Sequence, residues 1–180
     1  MRKIVLFIAM SLDGYIADRQ GGVGWLAGQG EQGGEGFYEE FVRDMDTVVM
    51  GGNTYRQITE ELSPGNWPYE GMTTYVLTSR PHVPAEGVVF TSCPVCRLAE
   101  ELKDQPGRGI WVCGGAAVAQ PLIRGGLIDE YRISIIPTIL GGGIPLFGQS
   151  GAEIPLKLTG VRSSDGITEL TYCRREPATR

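Results

Sequence analysis

The chain alternates between short apolar runs and helical spacing. KIVLFIA (3–9) predicts a dense apolar strand, and a long glycine-rich stretch follows it to about residue 34. In GFYEEFVRDM (36–45), Phe37, Phe41 and Met45 recur every four residues, which predicts a helix. TVVM (47–50), TTYVLT (73–78), VVFT (88–91) and GIWVC (109–113) read as strands, and CRLAEELKD (96–104) reads as a helix. These runs are apolar throughout rather than alternating, as expected of strands buried on both faces of a parallel sheet. The tail differs. EYRISIIPTIL (130–140), PLKLTGVRSS (155–164) and ITELTYCRR (167–175) read as strands, the last two joined by Asp165-Gly166, a hairpin signal. The pattern predicts one α/β domain over 1–180, with a mostly parallel sheet and antiparallel strands at its C-terminal edge.

Composition narrows the function classes. A net charge of −5, with no basic cluster beyond Arg174 and Arg175, argues against nucleic acid or an anionic membrane as partner. The apolar opening is broken at Ser11 and Asp13, so neither a signal peptide nor a spanning segment is expected, and a cytoplasmic location is. Cys93-Pro-Val-Cys96 stands without a second cysteine pair, and His82 is the single histidine, so no metal site is expected.

Two segments repeat one arrangement. VVMGGNTY places Gly51, Gly52, Asn53 and Thr54 where a strand becomes a helix, and IWVCGGAAV does the same with Gly114 and Gly115. At such a turn the first amides of the helix point into the crevice beyond the strand ends, and glycine lets an anion approach them. Two such turns can hold the two halves of a dinucleotide. YVLTSRP adds Thr78, Ser79 and Arg80 at a third strand end, two hydroxyls and a guanidinium suited to a phosphate monoester such as the 2′-phosphate of NADP. The literal GxGxxG at 28–33 lacks a preceding strand and is read as part of a mobile loop.

LFIAMSLDGYIAD (6–18), GVGWL (22–26), VVMGGNTYRQI (48–58), YVLTSRP (75–81), IWVCGGAAVAQPLI (110–123) and GLIDEYRISIIPTILGGGIPLFG (126–148) together resemble the dihydrofolate reductase superfamily. The closer likeness is to the branch that includes the reductase domain of the riboflavin-biosynthesis deaminase/reductase. The resemblance covers nearly the whole chain, in order. It implies a central sheet of about eight strands with helices on both faces, NADPH as hydride donor, a small-molecule substrate and a homodimer. By the same resemblance the backbones of Ala9 and Ile16 hold the nicotinamide carboxamide. Gly114 and Gly115 are joined by a cis peptide beside the cofactor, and Ala116, Ala117 and Val118 open the helix that receives the pyrophosphate. Thr54 is a further phosphate contact, and Thr78, Ser79 and Arg80 surround the 2′-phosphate. Gly52 departs from the family pattern, in which arginine is common there.

The reacting groups are less marked. Trp25, Tyr38, Phe41 and Tyr55 are candidates to wall a substrate pocket, although Phe41, an aromatic at helical spacing, reads first as core. Asp13 is the carboxylate nearest the expected nicotinamide position and a candidate acid, or else a turn residue beside Gly14. Glu35 falls near the family's buried acid by spacing, whereas aligning Phe41 with the family's aromatic position puts Phe37 there instead. The implied activity is hydride transfer from NADPH to a small heterocyclic or carbonyl substrate, such as a pterin or a ribosylamino-pyrimidine. A non-catalytic nucleotide- or pterin-binding module and a flavin or quinone reductase are the competing readings.

Overall fold

In the computed structural model, which describes residues 1–27, 37–80, 82–149 and 151–175, the period-two alternation of the strands is resolved into two cores. Along β1 (Ile4–Ser11), Ile4 and Leu6 enter one apolar cluster while Val5 enters the other. β3 (Met45–Gly51) divides in the same way, with Val49 on one side and Val48 and Met50 on the other. β6 (Gly109–Gly114) sends Ile110 and Val112 one way and Trp111 the other. An apolar run is therefore what a central strand needs when both of its faces are covered.

The first core is closed by α3 (Val95–Lys103) and α4 (Ala116–Arg124), which bury Leu98, Leu102, Val118 and Leu122. The second is closed by α1 (Phe37–Arg43), through Phe41, and by the segment that begins with α2 (Gly52–Gln57) and continues as a wider turn over Ile58–Leu62. With β4 (Thr73–Leu77), β5 (Val88–Thr91), β7 (Glu130–Ile136), β9 (Leu156–Ser164) and β10 (Ile167–Arg174), the main sheet has eight strands in the order β5-β4-β3-β6-β1-β7-β10-β9. All pairs from β5 to β7 are parallel, and β10 is antiparallel to both of its neighbours. Asp165 and Gly166, at φ 51° and 77°, make the turn between β9 and β10. Two positive φ values are what a tight two-residue hairpin requires.

Three elements depart from the sequence reading. The first helix stops at Arg43 and Met45 joins β3, because the Asp44 carbonyl takes the Gly109 amide at 2.8 Å and draws this stretch into the sheet. β7 ends at Ile136 rather than residue 140. Pro137 has no amide to continue the ladder, and the chain beyond it turns back to meet the loop after β1, where the Leu12 amide donates to the Thr138 carbonyl at 2.8 Å. The sequence pattern also gave no sign of the two-stranded ribbon of β2 (Tyr15–Ala17) and β8 (Ile144–Pro145), which lies outside the main sheet. No helix among the described residues is long and apolar enough to cross a membrane.

Candidate active site

Because β1, β3, β4 and β6 are parallel neighbours, their C-terminal ends open on one side of the molecule. There they border a crevice of about 1480 Å³. Sites for one drug-sized ligand run to roughly 300–1,000 Å³, so this space has room for two ligands side by side. Its wall includes Gly51, Gly52, Asn53 and Thr54 from the first glycine turn and Gly115, Ala116, Ala117 and Val118 from the second. The two turns meet at this wall. A Cβ built on Gly51 would lie 3.5 Å from Val118 Cγ2, and one on Gly115 would lie 3.5 Å from the Thr54 hydroxyl. The Gly114–Gly115 peptide is cis. Gly115 caps α4 in extended backbone, and its carbonyl accepts the Val118 and Ala119 amides, both at 3.0 Å. The Ala116 and Ala117 amides come before the first intrahelical bond and stand at the positive end of the helix dipole.

Ala9 and Ile16 line the crevice beside the second turn. Ile16 is brought there by the ribbon, since the Leu146 amide donates to the Gly14 carbonyl at 3.0 Å and folds β2 back over the end of β1. At the other end, Thr78, Ser79 and Arg80 line the wall beyond β4. Gly52 explains how close they come: a Cβ there would sit 3.2 Å from Thr78 Cβ. A larger residue at 52 would push this strand end away.

Not every candidate falls in the crevice. Phe41 is 1% exposed and is not part of its wall. Its ring stacks on Phe7 at 4.3 Å and meets Trp111 edge-on at 5.5 Å, so it is core. Trp25 donates from Nε1 to the Gly22 carbonyl at 3.3 Å, and its turn presents Val23 and Leu26 to the crevice instead. Asp13 is also elsewhere. Its carboxylate accepts from the Ser11 hydroxyl at 2.7 Å and from the Leu140 and Gly141 amides at 3.1 and 2.8 Å. The Ser11 hydroxyl, ahead of the two amides, holds this carboxyl below the usual carboxylate range. Asp13 therefore pins the loop after β7 and is a turn residue rather than an acid of the crevice. Glu35 and the GxGxxG of 28–33 lie outside the described residues.

Tyr38 and Tyr55 do line the crevice, and they are joined by residues with no sequence signal of their own: Tyr69, Trp111, Cys113 and Ser134. Tyr69 is reached from the loop before β4. Its hydroxyl is 3.7 Å from Cys113 Sγ, and its ring meets Trp111 edge-on at 5.1 Å. Burial pushes the Cys113 thiol up to about 11, although the Tyr69 hydrogen bond pulls against it. Burial likewise raises Tyr69 and Tyr38, with the neighbouring Cys113 adding to both. This wall presents three groups that keep their protons at neutral pH.

The RibD C-terminal domain family model matches residues 2–168. That span holds every motif on which the resemblance to the dihydrofolate reductase superfamily rests. The Uncharacterized protein YwjB of Bacillus subtilis (strain 168) is 37% identical over 177 residues, which cover 96% of this chain and 98% of that protein. Among solved structures, a protein of Shewanella sp. PV-4 provisionally named for riboflavin biosynthesis superposes with a TM-score of 0.81 at 27% identity, over 97% of this chain and 99% of that one. The diaminohydroxyphosphoribosylaminopyrimidine deaminase/5-amino-6-(5-phosphoribosylamino)uracil reductase of Thermotoga maritima shares the fold, with a TM-score of 0.69 at 18% identity. The match covers 97% of this chain but 57% of that longer one.

Proposed function

This chain belongs to the RibD C-terminal domain family, and from that premise and the form of the crevice we propose that it is an NADPH-dependent reductase of a small nitrogen heterocycle. The observation that carries the proposal is the meeting of the two glycine turns across one crevice. A dinucleotide needs anion-holding amides for its pyrophosphate, and it needs the wall beside them clear of side chains. Gly51 and Gly115 keep that wall clear, since a Cβ on either would project onto the facing turn at 3.5 Å. The donor set fits as well: orphan amides at Ala116 and Ala117 for the pyrophosphate, and Thr78, Ser79 and Arg80 for a ribose phosphate.

When bound, the reduced nicotinamide supplies a hydride from C4. The chain's own residues supply the rest. The backbone at Ala9 and Ile16 borders the place for the carboxamide, and Tyr38, Tyr69 and Trp111 offer flat aromatic surface to a planar ring. The Tyr69 hydroxyl and the Cys113 thiol keep their protons there by burial, so this wall donates hydrogen bonds to a ring heteroatom. Hydride transfer to C=N or C=O leaves an electron pair on that heteroatom, where such a donor is needed.

The substrate we favour is the ribosylamino-pyrimidine class, with dihydrofolate as the comparison. The test is NADPH oxidation by the purified protein, followed with 5-amino-6-(5-phosphoribosylamino)uracil and with dihydrofolate. Turnover with the pyrimidine and little with dihydrofolate is expected. NADPH that binds but is oxidised by neither compound would remove this substrate assignment.

A further inference from the structure

The chain's single histidine stands at the Arg80 end of the crevice, where no motif announced it. The ring of His82 lies flat on Phe90, with centroids 4.5 Å apart and planes 3° from parallel, and meets the Tyr55 ring edge-on at 6.1 Å. Two aromatic contacts thus fix its orientation. Its Nε2 is 3.2 Å from the Thr78 hydroxyl, and that same oxygen accepts the Arg80 amide at 3.1 Å. Gly52 leaves Thr78 the space to hold this position.

The hydroxyl settles what the ring can offer. It has one proton and two lone pairs, so it donates to Nε2 of one ring tautomer or accepts from Nε2–H of the other. Where the hydroxyl donates, Nδ1 carries the ring proton and is a donor. In that arrangement the crevice is offered a donor on an oriented ring. Arg80, two residues away, lines this end, and Arg56 also lines the crevice. Cations and oriented donors at one place suit a compact anion with several acceptor oxygens, as in a phosphate monoester.

We propose that His82 is a ligand of the ribose 2′-phosphate and sets the preference for NADPH over NADH. The inference rests on the reading of the crevice as a dinucleotide site, and its test separates the two. The unaltered protein, His82→Phe and His82→Gln are titrated with NADPH, NADH, adenosine 2′,5′-bisphosphate and adenosine 5′-monophosphate, using calorimetry without any substrate. Phenylalanine keeps a flat ring on Phe90 and removes both nitrogens, whereas glutamine keeps an N–H donor and removes the ring. His82→Phe is expected to weaken NADPH and the 2′,5′-bisphosphate roughly tenfold and to leave NADH and the monophosphate within about twofold, with His82→Gln in between. Equal losses for all four compounds would mean that the ring serves the adenosine or the fold, and would overturn the inference. So would unchanged affinities in both variants. NADPH failing to bind the unaltered protein would overturn the crevice reading and this inference with it.

Discussion

Thr54 and Gly115, 61 positions apart in the chain, face each other so closely that a Cβ on the glycine would lie 3.5 Å from the threonine hydroxyl. Each belongs to a strand–glycine–helix turn, and neither turn alone distinguishes a ligand site from close packing. Their meeting at the wall of one crevice does. A crevice bordered by two sets of helix-initiating amides is suited to a ligand with anionic groups separated by a spacer.

Filling that gap is the first prediction. In Gly51→Ala the new methyl would meet Val118 at 3.5 Å, an ordinary contact, on a backbone with φ −85° that alanine adopts freely. The melting temperature should change little while NADPH binding weakens by about tenfold. Calorimetric titration beside a thermal melt checks this, and a large loss of stability with unchanged affinity would count against the crevice.

Arg80 supplies the second. Its guanidinium lies at the exposed end of the crevice, beside Thr78 and Ser79. Arg80→Ala should weaken NADPH by about 1.5–3 kcal/mol, the range for hydrogen bonds to a charged group, and leave NADH nearly unchanged. Equal losses for the two cofactors would contradict the assignment.

Phe41 and Tyr38 share one short helix and should behave oppositely. Phe41→Ala removes a ring packed against both Phe7 and Trp111 and should cost about 3–5 kcal/mol in urea unfolding. Tyr38 is 36% exposed, and Tyr38→Phe should leave the unfolding midpoint almost in place. A comparable loss from both would mean that the helix is held by something other than Phe41.

Acid should find a weak point away from the crevice. Burial is the largest influence on Asp46 and raises its carboxyl, but the Arg108 amide, the Thr47 hydroxyl and the Arg2 guanidinium together outweigh it, leaving the group below its usual value. A carboxyl lowered by folding contributes stability above its unfolded value of about 3.9 and loses it as pH falls through the folded one. Asp46→Asn should therefore cost about 1–3 kcal/mol at neutral pH, and the difference from the unaltered protein should shrink below about pH 4. Urea unfolding at pH 7 and pH 3 measures it.

How much of this was readable from the chain depends on how local each cause is. The strands of the central sheet announce themselves because Ile4, Val5 and Leu6 must all be apolar when the sheet is covered on both sides. The glycine turns are local for the same reason. The end of β7 is not, since it follows from Pro137 together with the return of the chain to Leu12 and Asp13, more than 120 residues earlier. Asp13 looked like a candidate acid because proximity along the sequence places it near the end of β1, while its partners Leu140 and Gly141 come from the far end of the chain. Tyr69 and His82 carry no periodicity or motif, and only the packing of Tyr69 on Trp111 and of His82 on Phe90 brings them to the wall.

The most direct test is a titration of the purified protein with NADPH, following the fluorescence of the reduced nicotinamide. Saturable binding in the micromolar range, weaker for NADH and weakened by Gly51→Ala, is the predicted result. No binding at high micromolar NADPH would contradict the account.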